Sequence, residues 1–134
     1  MRQEAGPRPT VLALGAVLLA VTACKTTVVH NVPRTAFAAP VSGNVKEVGE
    51  AIWAAGRREG WRVREIEPGD IRAEKNLRTH RALVRIGYDT RGFDVTLLEA
   101  DGLQYDGHHI HKACNEWIAQ LEKAIQDEAR FRFR

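Results

Sequence analysis

Cysteine is scarce, with Cys24 and Cys114 the only two among 134 residues. If Cys24 is consumed by modification, as argued below, Cys114 has no partner and no intrachain disulfide is expected. Also missing are a glycine-rich phosphate loop, a serine placed as a nucleophile elbow, and paired carboxylates beside an evident pocket. These gaps remove the common signatures of nucleotide-dependent and hydrolytic enzymes, and no cofactor is expected. Internal repeats and low-complexity tracts are absent. The surplus of positive charge is small at +3, and Arg2 and Arg8 against Glu4 supply one unit of it. About +2 on the remainder is no nucleic-acid footprint, so nucleic acid is excluded as a partner.

What is present begins with a basic start at Arg2 and Arg8, an apolar run from Thr10 to Ala23, and small residues before Cys24. That is the order of a secretory signal. The run falls short of the roughly 20 residues a spanning helix needs, so export and cleavage after residue 23 are expected, not a transmembrane anchor. Val21-Thr22-Ala23-Cys24 resembles the bacterial lipobox, in which an aliphatic residue and two small ones precede a cysteine that is lipidated on sulfur and becomes the new N-terminus. The resemblance implies a multiply acylated Cys24, and several chains at about 0.8 kcal/mol per buried CH₂ make a stable membrane anchor. Lys25 follows where an aspartate would resemble an inner-membrane retention signal, which points to the outer membrane with the protein facing the periplasm. Residues 24–41, with Thr26, Thr27, Pro33 and Pro40, read as a tether on which Val28-Val29 or Phe37 docks against the domain.

The folded domain is expected over residues 42–130, enough for one modest core. Asn44 and Glu47 are spaced as a reciprocal cap, and Val45, Val48, Ile52 and Ala55 recur on one face of a helix stopped by Gly60. Four runs of period two follow, over Trp61–Arg64, Ile71–Leu77, Arg81–Tyr88 and Phe93–Leu97, separated by turn residues such as Pro68-Gly69. Short connections make them an antiparallel meander. Asp106 is placed to cap a last helix, with Tyr105 and Ile110 as a hydrophobic staple. Its apolar stripe is Ile110, Cys114, Trp117, Leu121 and Ile125, with Ile118 beside it. The expected fold is α+β: a four-stranded antiparallel meander with two helices packed on one face.

Several of these letters carry a resemblance: Gly60-Trp61, Pro68 to Ala73, Tyr88, Leu103-Gln104-Tyr105, Ile110-His111-Lys112, Asn115 to Ile118, and Leu121. Together, from about Val41 to Ile125, the chain resembles a group of small, uncharacterised proteobacterial envelope lipoproteins. The resemblance implies the order helix, four strands, helix, and brings no activity with it. Cys114 stands where that group more often has an aromatic residue, and Glu99-Ala100-Asp101-Gly102 replaces a more polar, serine-containing turn.

Three features are candidates for chemistry. His108 and His111 lie three apart and would share one face of the last helix, so they could begin a zinc or copper site completed by Asp106 or His80; the blander reading solvates His108 and His109 and gives His111 a structural hydrogen bond at the helix start. Cys114 is a thiol on an apolar stripe, which reads as inert packing and not as a nucleophile. The alternation puts Arg62, Arg64, Arg72, Arg81 and Arg85 on the sheet face away from the helices, offset in part by Glu74 and Asp94, with Leu83 and Leu98 outward and opposite each other. Guanidinium forks on such a face suit an anionic group, on an acidic envelope protein or a lipid headgroup. The tail 131–134, within Arg130 to Arg134, alternates basic and aromatic residues and is expected to fray. The function expected is a non-enzymatic binding or scaffolding module attached to the membrane by lipid; the alternative is a metal-binding protein or enzyme using the histidine cluster.

Overall fold

The structure, a computed structural model, describes residue 6 and residues 25–134. The signal segment and Cys24 lie outside the described residues. In chain order the elements are β1 (Thr26–Val28), β2 (Val32–Ala36), α1 (Val45–Arg58), β3 (Arg62–Glu67), β4 (Asp70–Leu77), β5 (His80–Tyr88), β6 (Gly92–Asp101), β7 (His109–His111) and α2 (Lys112–Arg132). The protein is α+β, with two helices and antiparallel sheets.

α1 begins where its cap chemistry places it. The Asn44 side chain accepts from Glu47 N at 3.0 Å while Asn44 N donates to the Glu47 carboxylate at 3.2 Å, a complete capping box. Beyond Arg58 the chain turns at Gly60, whose φ of +84° suits a residue without Cβ. The four expected strands form the meander β3-β4-β5-β6, all antiparallel. Val48, Ile52 and Ala55 of α1, Cys114, Ile118 and Leu121 of α2, and Ile71, Val84, Ile86 and Val95 of the sheet share one buried cluster. Both helices therefore close the same sheet face.

Four expectations are corrected. First, the sheet has five strands in the order β2-β6-β5-β4-β3, and β1 pairs with β7 in a separate ribbon. Residues 25–41 are thus built into the fold and not a tether docked at one or two side chains: Val32 is opposite Val95, Thr26 is opposite His111, and Val32 is buried. Two side chains of α2 hold the segment down. Asn115 donates to Val28 O and accepts from His30 N, and Gln126 donates to Ala36 O and accepts from Ala38 N. Pro33 is compatible with this because β2 is an edge strand. Val29 and Phe37 do pack on the core, Phe37 with its ring 5.6 Å from that of Phe93.

Second, α2 is capped by His111, not Asp106: His111 Nδ1 accepts from Ala113 N at 3.1 Å. Asp106 spends its carboxylate on His108 N and His109 N, a turn that delivers His109–His111 to β1. Third, the basic-aromatic tail 131–134 is not frayed over its length, because α2 runs to Arg132 and Phe133 packs beside the core near Gly43. Fourth, Leu83 and Leu98 do not face each other. A bulge sets Leu83 opposite Glu99 and Val84 opposite Leu97, leaving Leu98 as the extra, exposed residue.

Candidate functional site

The open face of the sheet carries the predicted arginines, and register explains how they meet. Arg64, Arg72, Arg85 and Thr96 form one cross-strand row over β3, β4, β5 and β6. Like charges directly opposite one another repel, so the row needs counterions. They come from the neighbouring row of Asp70, Gly87 and Asp94. Asp70 pairs with Arg72 and lies 3.4 Å from Arg85 Nε, while Asp94 is 3.5 Å from Arg85 and 3.1 Å from Arg34. Gly87 makes the convergence possible, since a Cβ there would fall 2.8 Å from Arg85 Nη1 and 2.9 Å from the Asp94 carboxylate. Arg34 of β2 continues to Asp89 at 2.8 Å and closes the network at that edge.

Arg81 is neutralised separately. Its guanidinium reaches Glu74 at 3.2 Å, Glu99 at 3.2 Å and Asp101 at 3.1 Å. Glu99 first, then Glu74, hold its pKa above the usual value. Glu74 is held below the usual carboxylate value by a hydrogen bond from Asn76 and then by Arg81. The five arginines that alternation places on one face therefore divide into two groups. Arg72, Arg81 and Arg85 are engaged, whereas Arg62 and Arg64 of the edge strand β3 are exposed and form no ion pair among the described residues. Both line a shallow groove of about 510 Å³ together with Arg72, Glu74 and Leu83. A groove with two free guanidinium forks beside one apolar side chain can hold a carboxylate or phosphate and part of what bears it.

On the helix-covered face the packing is incomplete at one end. A hollow of about 410 Å³ opens between Gly49, Glu50 and Trp53 of α1, Glu65 of β3 and Ile71 of β4, with Lys46 and Arg132 also lining it. Behind Gly49 lies the hydroxyl of Tyr88, buried and without a hydrogen-bond partner among the described residues. A Cβ at residue 49 would fall 2.5 Å from that oxygen, so glycine is what lets Tyr88 approach the helix. Burial raises the Tyr88 pKa, and the Glu65 carboxylate adds to the rise. No periodic pattern in the sequence announces this hollow. Its only signals were a glycine inside α1 and Glu65, an acidic residue in the alternation where the helix-facing side chain is ordinarily apolar.

The remaining candidates are brought together differently from their spacing. His108 and His111 do not share a helical face, because His108 lies in a loop and His111 ends β7. His111 Nδ1 is occupied at the helix start, and the ring near it is that of His80, with centroids 6.0 Å apart. Asp106 accepts from His108 N at 2.8 Å and His109 N at 2.6 Å, and these two bonds lower its pKa to about 2. Among the described residues no group of three or more histidine, cysteine or acidic side chains is placed to hold a metal ion. Cys114 is fully buried, and burial pushes its thiol up to about 11, which suppresses the thiolate that nucleophilic chemistry needs. Among the described residues no helix is long and apolar enough to cross a membrane. No family model matches the chain, and no curated protein or solved structure is significantly similar to it.

Proposed function

We propose that the chain is a lipid-anchored bacterial envelope protein, held at the outer membrane through acylated Cys24 and facing the periplasm. In this reading it is a non-enzymatic binding module whose open sheet face receives an acidic segment of another envelope protein. The lipobox-like Val21-Thr22-Ala23-Cys24 supports the anchor. One observation carries the binding surface: Arg62 and Arg64 stay outside the ion-pair network that engages Arg72, Arg81 and Arg85, and they face a groove that includes Leu83. A guanidinium that is exposed and unpaired loses little on meeting a carboxylate, whereas one already paired must first release its partner.

The test is crosslinking in intact cells from a photoreactive residue in place of Leu83, with Arg62→Glu/Arg64→Glu as the variant. A protein captured by the wild type and lost in the double variant supports the reading. Capture of phospholipid in place of protein would reassign the groove to headgroups, and protein capture unchanged by charge reversal would remove it as the binding surface. Fractionation of Cys24→Ala cells tests the anchor independently: the variant is expected to leave the membrane fraction.

A further inference from the structure

The end of the molecule next to Cys24 is assembled from segments distant in sequence. Lys25 O accepts from Lys112 N at 2.8 Å, and Thr26 is already paired with His111. The turn between β4 and β5 joins this end through His80, whose ring is near that of His111, and through Thr79, whose carbonyl packs against Gly102. The loop before β7 joins it through Leu103 O, which accepts from His111 N at 2.7 Å.

Three large apolar or aromatic side chains are exposed at this end. Val28 is 65% exposed, Leu77 52% and Tyr105 36%. Lys25, Arg78 and Lys112 are part of the same end, and none of them forms an ion pair among the described residues. Of the acidic groups there, Asp101 is paired with Arg81 and Asp106 accepts from His108 N and His109 N, while Glu116 is exposed one turn along α2 from Lys112. Free cations, an interfacial tyrosine and apolar side chains are the composition that suits a bilayer surface with anionic headgroups.

We infer that this end, carrying Val28, Leu77 and Tyr105, lies directly on the bilayer, so that the domain is seated on the membrane instead of swinging from a linker. The placement rests on acylation of Cys24. The covalent distance enforces it. Consecutive Cα atoms are about 3.8 Å apart, and Cys24 is one peptide unit from Lys25, which is already fastened to α2. The short link keeps the end that carries Lys25 beside the headgroups. The opposite end of α2, at Arg132, is about 30 Å along the helix from Lys112, and it lines the hollow beside Trp53.

The experiment uses the full chain, acylated in cells, purified and reconstituted into phosphatidylethanolamine–phosphatidylglycerol vesicles. Single cysteines replace Val28, Leu77 or Tyr105 at the near end and Trp53, Ile66 or Phe131 elsewhere, and each carries a nitroxide; Cys114 is buried and does not compete. On vesicles, the three near-end labels are expected to lose most of their collisions with a water-soluble nickel chelate and to gain collisions with oxygen, while the other three keep both. Equal aqueous access at the two ends, in protein whose mass shows an acylated Cys24, overturns the seated orientation and leaves the anchor standing. An unacylated Cys24 overturns both.

Discussion

The two faces of the five-stranded sheet use the same strands and are held by different forces. On the helix-covered face, Ile71, Val84, Ile86 and Val95 meet α1 and α2 in a buried cluster. On the open face, residues one position away in sequence, Arg72, Arg85 and Asp94, are joined by charge. Burial on the first face contributes in proportion to the apolar area removed from water, about 25 cal/mol per Å². Exposed ion pairs on the second contribute little each and serve mainly to keep closely spaced arginines compatible. The difference separates the ion-paired Arg72, Arg81 and Arg85 from Arg62 and Arg64, which form no ion pair among the described residues.

The following changes would break or sharpen this contrast, beginning with the largest expected effect. Ile118→Ala empties a fully buried site on the helix face and is expected to lower the unfolding free energy in urea by about 2–5 kcal/mol. No substitution of a single arginine on the open face should approach that loss. Tyr88→Phe runs the other way. Removing a buried hydroxyl that has no hydrogen-bond partner among the described residues should raise stability by about 1 kcal/mol, whereas a fall of similar size would show that the oxygen is bonded to the Glu65 carboxylate beside it.

Within the open face, Arg81→Ala leaves Glu74, Glu99 and Asp101 without their shared cation and should lower the urea midpoint, less so at high salt. Arg62→Ala and Arg64→Ala should each stay within about 0.5 kcal/mol of wild type, because neither holds an ion pair among the described residues. If these three substitutions prove equal, the division between engaged and free arginines is lost.

The acid response should follow the lowered carboxylates, Glu74 and Asp89 of the charged face together with Asp106, Asp127 and Glu128 outside it. Glu74 and Asp89 sit below their ordinary values of 4.5 and 3.8, Glu74 through Asn76 and then Arg81, Asp89 through the Arg91 and Gly92 backbone amides and Arg34. Lowered carboxylates bind fewer protons folded than unfolded, so their stabilisation is whole above those ordinary values and is lost as the pH falls through the lowered ones. The urea midpoint measured from pH 6 downward should therefore begin to fall below about pH 4.5. The fall should be shallower in Arg81→Ala. The smallest effect is chemical: with its thiol pushed up to about 11, Cys114 should resist alkylation at pH 8 in the native state and react in urea.

Much of the architecture was legible because it depends on near neighbours. The Asn44–Glu47 box, the stop at Gly60, the period-two runs and the stripe of Cys114, Trp117, Ile118, Leu121 and Ile125 are all relations within a few residues. What was not legible depends on partners far along the chain. Thr26–Val28 and Val32–Ala36 have no amphipathic pattern long enough to declare a strand, and their hydrogen bonds are to His109–His111 and to β6. Asp106 carries valid capping chemistry, yet β1 claims the residues after it for a strand, and the helix starts only at Lys112. The bulge at Leu98 likewise follows from fitting β6 against β5, and alternation alone cannot count an inserted residue.

For the candidate surface, the sequence by itself determined that Arg62, Arg64, Arg72, Arg81 and Arg85 share a face, since side chains in a strand alternate with a period of two. It also placed a lipobox-like cysteine ahead of the fold. Only the tertiary structure decided which arginines are free, because Asp70, Asp94, Glu99 and Asp101 reach them across strands through a register that no local pattern encodes. It decided too that the segment after Cys24 is fastened, through Lys25 to Lys112 and through Asn115 and Gln126 of α2. Alternation and capping are short-range consequences of backbone geometry, whereas charge pairing and strand addition are settled only when distant residues meet.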